Sequence, residues 1–272
     1  MAFGSLVISI EKGYYGFMNN FTKELETAVA IAKEAAVIML EYFDADQQVE
    51  IKSDNTPVTI ADKLINTLVI ERLSKAFPED GIIGEEESTA GYGIGRKWFC
   101  DPIDGTAAYV QGVPTAMFSL GLVIDGKPVV GVACDPFLNR MYTGVIGEKS
   151  VCNGKPLAVS NTDLKSGIVG VTGSVKALLK LEYLKKMIEN NIRTACFSGA
   201  VSKSCLIARG RLVAYIELGA NAHDVAAIQV ILEGAGGRVT SPDGKELDYS
   251  KPFKGAIASN SVVHSQIVEY FA

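Results

Sequence analysis

A chain of 272 residues, 48% hydrophobic and 21% charged with a formal charge of −5, has the composition of a globular protein with room for one large domain or two moderate ones. Net acidity and scattered charges argue against nucleic acid or a membrane surface as a partner, because both require a basic face. Two histidines, His223 and His264, exclude a His-rich metal site, and no apolar run approaches the ~20 residues of a membrane span.

Residues 1–17 carry a short apolar piece, Leu6 to Ile10, without a charged n-region or an A-x-A cleavage site. They read as an N-terminal extension, disordered or a misassigned start ahead of Met18, and not as a signal peptide. Apolar residues at Leu25, Ala28, Val29, Ala32, Ala36, Met39, Leu40 and Phe43 then predict an amphipathic helix over Thr22–Phe43. Thr59, followed three residues later by Asp62, has the form of a capping box and opens a second helix. Its buried stripe is Ala61, Leu64, Ile65, Leu68, Leu73 and Ala76, with Pro78 beyond its end.

From Gly81 the runs shorten. "GIIG" and "KWFC" read as strands that end at acidic residues. "AMFSLGLVIDGKPVVGVACDP" reads as a hairpin turning at Asp125-Gly126, and "EKSVCNGKPLAVS" as a strand pair around Asn153-Gly154. "SGIVGVTG" is a strand, residues 176–190 and "KSCLIARG" are helices, and "LVAYIEL" is a strand. "HDVAAIQVILEGAGG" is a helix closed by glycines, and "GAIASN" a last strand before a terminal helix. The whole reads as a mixed α+β half over residues 18–145 and an α/β half over residues 146–272. Five cysteines, Cys100, Cys134, Cys152, Cys196 and Cys205, stand singly, which fits reduced thiols in a cytoplasmic protein better than a disulfide framework or a zinc site.

Seven acids fall at element ends: Asp62, Glu85, Glu86, Asp101, Asp104, Glu217 and Asp224. Converging carboxylates with no histidine or thiolate make a hard-oxygen site of the kind Mg²⁺ prefers, and the Ile103 carbonyl can complete its shell. Gly105 and Thr106 open a short helix "TAAYVQG", whose free N–H groups suit a phosphate. Singly, each acid has an ordinary explanation. Asp62 can be the third residue of a capping box, Asp224 an N-cap, "PIDG" a turn and "GEEES" a solvated loop. "GLVIDGK" has P-loop spacing, but Pro128 occupies the Ser/Thr position and the segment lies in a hairpin. "GYGIG" lacks the context of a dinucleotide fingerprint.

"GEE" at residues 84–86, "DPIDGT" at 101–106 and "HDVAAIQVILEGAGG" at 223–237 together resemble the inositol monophosphatase superfamily, over roughly Met18 to the C-terminus. That group joins an upstream Asp, a Glu-Glu, D-P-[IL]-D-[GS]-T and a W-D pair with Gly-Gly downstream. Asp62, Glu85-Glu86, residues 101–106, Asp224 and Gly236-Gly237 reproduce the pattern, with His223 in place of the Trp. The resemblance implies a layered α-β-α-β-α sandwich, commonly a homodimer, and a Mg²⁺-dependent phosphatase using two to three ions. Glu85, Asp101 and the Ile103 carbonyl match ligands of a first ion, Asp101, Asp104 and Asp224 those of a second, and Glu85 with solvent a third. Asp104, Gly105 and Thr106 match the phosphate cradle, and Asp62 with Thr106 the pair that orients the attacking water. Glu217, Ala200 and His223 fall at substrate contacts, with His223 either a packing replacement or a pH-sensitive contact. Lys52 matches a lysine on the loop before Asp62.

The implied reaction is in-line attack of a metal-activated water on a phosphate monoester, without a phosphoenzyme. The leading substrate is a small polyol or sugar phosphate such as inositol 1-phosphate, because a carboxylate at Glu217 suits vicinal hydroxyls. Histidinol phosphate, fructose 1,6-bisphosphate and a nucleotide 3′-phosphate are the alternatives. An Asp-nucleophile phosphatase would space its acids D-x-D, whereas two residues separate Asp101 from Asp104. A non-catalytic binding relative would have lost a ligand or the water-orienting pair, and here all are present.

Overall fold

The computed structural model of the protein describes residues 21–53, 55–173, 178 and 180–271, so the extension expected at residues 1–17 lies outside it. The first helix, α1, spans Thr22–Phe43 as its periodicity predicts, burying Ala28, Ile31, Ala32, Ala35 and Met39. A two-stranded ribbon, β1 (Glu50–Ile51) and β2 (Pro57–Val58), leads to α2 (Ile60–Ala76). Thr59 caps α2 in a capping box with Asp62. Of the expected α2 stripe, Ala61, Ile65 and Leu73 are buried, joined by Val69, while Leu64 is 39% exposed.

A seven-stranded sheet follows in the order β3-β4-β5-β6-β7-β8-β9. Its strands are Gly81–Gly84, Arg96–Asp104, Met117–Ile124, Lys127–Asp135, Arg140–Val145, Val151–Cys152 and Lys155–Pro156, with α3 (Thr106–Val110) between β4 and β5. Only β3 and β4 pair in parallel. The later strands form a five-stranded sheet, β10 (Ile168–Val171), β11 (Arg193–Cys196), β12 (Ala214–Glu217), β13 (Arg238–Thr240) and β14 (Ala256–Ser259), in the order β11-β10-β12-β14-β13. Helices α4 (Glu182–Glu189), α5 (Ala200–Ala208), α6 (Ala222–Gly234) and α7 (His264–Val268) accompany it. α4 is shorter than the helix expected over residues 176–190, part of which lies outside the described residues. No described helix is long and apolar enough to cross a membrane.

Alternation along the strands sets the layers. Trp98, Cys100, Phe118, Leu120, Leu122, Val130 and Val132 point from the first sheet into a core shared with α1 and α2. Phe99, Met117, Val123, Ala133 and Tyr142 point the other way, onto α5 and α6, whose opposite sides meet Tyr215, Ala256 and Ala258 of the second sheet. The far face of that sheet packs Val169, Val171, Ala214, Ile216 and Ile257 against α4 and α7. The order is helix, sheet, helix, sheet, helix, an α-β-α-β-α sandwich.

Helix α6 has an unusually close seat. Gly121 opposes Gly131, and Gly131 opposes Gly144, so three adjacent strands present a row without side chains. A Cβ on Gly131 would collide with the Ala227 carbonyl oxygen, and one on Gly121 would lie 2.7 Å from the Ala227 nitrogen. The backbone of α6 fills the space the side chains would take. Gly131→Ala is therefore expected to lower the thermal midpoint by about 3–10 °C, the overpacking cost of a well-filled core in a domain of this size. An unchanged melting curve would show that α6 can move away without loss.

Candidate active site

Asp101 and Asp104 lie three apart on β4, which in a regular strand would place them on opposite faces. The pairing with β5 prevents this. Asp101 opposes Ser119 and Asp104 opposes Met117, so an extra residue is bulged out between the two acids. Since Ser119 and Met117 share a face, so do Asp101 and Asp104, and they face α5 and α6. The bulge ends in Gly105, whose φ of 88° lies in the left-handed region and caps α3. Thr106 then turns its hydroxyl back onto the Ile103 carbonyl at 2.9 Å.

The remaining acids arrive from helix starts and loops. Asp62 is fully buried at the third position of α2. Its Oδ2 accepts the Thr59 N–H at 2.7 Å and the Thr59 hydroxyl at 2.6 Å, while Oδ1 faces the Thr106 hydroxyl at 3.5 Å. Asp224 is not the N-cap of α6. Asn221 holds that position, and its N–H donates to Asp224 Oδ2 at 2.6 Å. His223 Nε2 lies 3.8 Å from Asp224 Oδ1, and the His223 carbonyl faces the Ser119 hydroxyl at 3.4 Å. Glu85 and Glu86 follow β3 and share Lys52, whose Nζ donates to Glu85 at 2.8 Å and also reaches Glu86. "GEEES" is thus not a solvated loop at its glutamates.

One carboxylate oxygen each from Asp101, Asp104 and Asp224 lies within 4.8 Å of the others. Asp104 is satisfied by the start of α5, accepting the N–H groups of Ala200 at 2.7 Å and Val201 at 2.8 Å. Asp101 Oδ1 is buried with no hydrogen-bond partner among the described residues. Burial raises the Asp101 carboxyl well above the carboxylate range, and Glu85, Asp104, Asp224 and Asp62 raise it further. Burial likewise brings Asp104 up to about 7, with the Asp224 charge adding to it and Lys203 and the two N–H donors opposing. Asp62 also reaches about 7 through burial, against the Thr59 bonds. Asp224 and Glu86 are raised by burial too, opposed by His223 and Lys52 respectively. Burial alone would depress the Lys52 ammonium, but the Glu85 and Glu86 carboxylates hold it above its usual range.

A buried cluster of carboxylates with an orphaned oxygen demands positive charge, and an all-oxygen donor set suits a hard divalent cation. The residues present fit such an ion. On the other side of the cluster, Glu217 at the end of β12 accepts the Tyr215 hydroxyl at 2.7 Å and the Gly219 N–H at 3.1 Å, close enough to Asp224 to add to its raised carboxyl. Every acid singled out from the sequence thus lies in one place. Two neighbours were not anticipated. Tyr92, in the "GYGIG" loop, is a phenol within the field of Asp224. Lys203 is fully buried on α5 behind Asp104. Its one sequence signal is a lone charge inside the apolar run "AVSKSCLIA".

The family model described as the inositol monophosphatase family matches residues 21–272. Inositol monophosphatase 1 of Solanum lycopersicum is 34% identical over 237 residues, covering 83% of this chain and 87% of the relative. The histidinol-phosphatase of Mycobacterium tuberculosis is 32% identical over 256 residues, covering 90% and 96%. Among solved structures, an IMPase of Thermotoga maritima superimposes with a TM-score of 0.82 at 26% identity, covering 91% of this chain and 96% of that one. A match over nearly the whole described chain, joined to a carboxylate cluster at the residues that carry the motifs, places the protein in a family: the chain belongs to the inositol monophosphatase family.

Proposed function

We propose that this phosphoric monoester hydrolase acts on a small polyol phosphate, inositol 1-phosphate first, with two to three Mg²⁺ ions at its acid cluster. The observation that carries the reading is the convergence of Asp101, Asp104 and Asp224 within 4.8 Å around an unpartnered Asp101 oxygen. Glu85, Asp101, Asp104, Asp224 and the Ile103 carbonyl would hold the ions. When bound, these supply Lewis acidity, lowering the pKa of water and offsetting charge on the phosphoryl and leaving oxygens.

The chain's own residues do the rest. The N–H groups of Gly105 and Thr106 receive phosphate oxygens. Asp62, anchored through Oδ2 to Thr59, leaves Oδ1 to take up a proton of the attacking water beside the Thr106 hydroxyl. The phosphorus–ester oxygen bond breaks as the water oxygen bonds to phosphorus, and the leaving alkoxide takes up a proton from solvent water to leave as the alcohol. Glu217 accepts hydrogen bonds from the substrate hydroxyls, with Ala200 and His223 at the rim. A homodimer, which the family resemblance implies, and a cytoplasmic location, which suits five free thiols, complete the reading. The 32% identical histidinol-phosphatase favours histidinol phosphate as the second substrate to test, ahead of fructose 1,6-bisphosphate and nucleotide 3′-phosphates.

Phosphate release from inositol 1-phosphate and histidinol phosphate, with and without Mg²⁺, tests the proposal. Asp101→Asn is expected to lower kcat/KM by more than about a hundredfold, beyond the 10–100-fold typical of residues that only support ligands. No Mg²⁺-dependent turnover of any compound in a panel of polyol, sugar and nucleotide phosphates would overturn it. A melting experiment checks the ligand assignment without turnover. In metal-free buffer at pH 8, Asp101→Asn is expected to raise the midpoint by about 2–8 °C, because it removes the cost of burying an ionisable carboxyl among like charges. Mg²⁺ should stabilise the wild type and leave the variant nearly unmoved. Equal stabilisation of both would remove Asp101 from the metal site.

A further inference from the structure

Lys203 is an ionisable group beside the site to which the reaction scheme gives no role. It is fully buried on α5, and an ammonium shielded from water is costly unless its surroundings are built for it. Here they are. Nζ donates to the Gly199 carbonyl at 2.6 Å and lies 4.6 Å from the Phe197 ring centroid and 4.7 Å from that of Tyr215. Beneath its stem is Gly170 of β10, where a Cβ would come within 2.8 Å of Lys203 Cδ. Among the described residues, no carboxylate lies within ion-pair distance, so the side chain is held by a carbonyl and two rings. Burial lowers its pKa to about 8, while Asp104 and Glu217 oppose the fall, so the ammonium persists at neutral pH.

Two of these contacts connect directly to the active site. The Gly199 carbonyl and the Ala200 N–H belong to one planar peptide unit, so fixing the first fixes the direction of the second. That N–H is the donor to Asp104 Oδ1, and Val201 supplies the donor to Oδ2. The Tyr215 ring under Nζ carries the hydroxyl that donates to Glu217. We infer that Lys203 is a positioning residue that grips the Gly199–Ala200 peptide and the Tyr215 ring together, and so sets Asp104 and Glu217 relative to each other. The turnover readouts rest on the phosphatase reading above, but the structural readout does not.

Lys203→Met keeps the stem and removes the donor and charge, a change that buried sites often tolerate without loss of stability. Backbone hydrogen exchange is expected to quicken by about tenfold or more at Ala200, whose peptide loses the hydrogen bond holding it, and with it at Val201 in the adjoining peptide. KM should rise more for inositol 1-phosphate than for p-nitrophenyl phosphate, which offers Glu217 no hydroxyls, while kcat falls for both. Tyr215→Phe should reproduce the selective rise in KM and leave the two amides protected. A folded Lys203→Met protein with wild-type exchange at both amides and wild-type KM for both esters would reduce Lys203 to a packing residue. Should that variant not fold, Phe197→Leu strips one ring from the ammonium and is judged by the same exchange, faster in support and unchanged against. If the wild type hydrolyses neither ester, the choice of inositol 1-phosphate as substrate fails, and amide exchange alone decides the role of Lys203.

Discussion

The site depends on a contact that involves no side chain on the sheet. Gly121, Gly131 and Gly144 form a bare row across β5, β6 and β7, and the backbone of α6 lies in it. Contact between backbones is set by covalent geometry and leaves little room for rotamer adjustment. The position of the first turn of α6, and of Asp224 on it, is therefore fixed relative to the end of β4. Ser119 tightens the link, because it sits opposite Asp101 in the sheet and its hydroxyl faces the His223 carbonyl. The distance from Asp224 to Asp101 is thus decided by strand register and helix seating together.

Much of this was readable from the residues, and the reasons for success and failure differ by element. α1 was legible because a long helix with one buried stripe has a period that no strand can imitate. The strands β7, β11 and β13 were not, because "RMYTGV", "RTAC" and "RVT" are short and mix charged with apolar residues. Their strand character comes from neighbours in the sheet more than from local preference. The spacing of Asp101 and Asp104 was visible, but the bulge that turns both acids to one face was not, since it exists only in the pairing with β5. The glycine row was hidden for the same reason: each glycine is unremarkable alone, and their alignment is a property of register.

The ordinary and functional readings of Asp62 and Asp224 posed a false choice. Each carboxylate has two oxygens and divides them. Asp62 gives Oδ2 to Thr59 and turns Oδ1 towards Thr106, while Asp224 gives Oδ2 to the Asn221 N–H and keeps Oδ1 on the side of His223. Capping a helix is what orients the free oxygen, so the structural duty prepares the other one. Sequence patterns that mark a helix start therefore do not count against a site. A lone buried lysine offers no comparable pattern, and Lys203 shows its relation to Gly199, Phe197 and Tyr215 only in three dimensions.

The same division explains how so much negative charge is tolerated in one place. Seven carboxylates, from Asp62 to Glu217 and Asp224, approach one another, with Lys52 bonded to Glu85 and Glu86 and the Lys203 charge opposing the rise of Asp104. Desolvation and mutual repulsion push most of these acids upward. The starts of three helices work against that rise. Asp62 sits in the first turn of α2, Asp224 in the first turn of α6, and Asp104 accepts two N–H groups from the start of α5. A helix start carries unsatisfied donors and partial positive charge, which favour an anion by ~0.3–1 kcal/mol in exposed settings and more where partly buried. Asp101, on the same strand as Asp104, differs from these three: among the described residues no helix start donates to it, and its Oδ1 has no hydrogen-bond partner. Helix starts thus satisfy Asp62, Asp104 and Asp224, the Gly219 N–H serves Glu217 and Lys52 serves Glu85 and Glu86, which concentrates the demand for an external cation at Asp101.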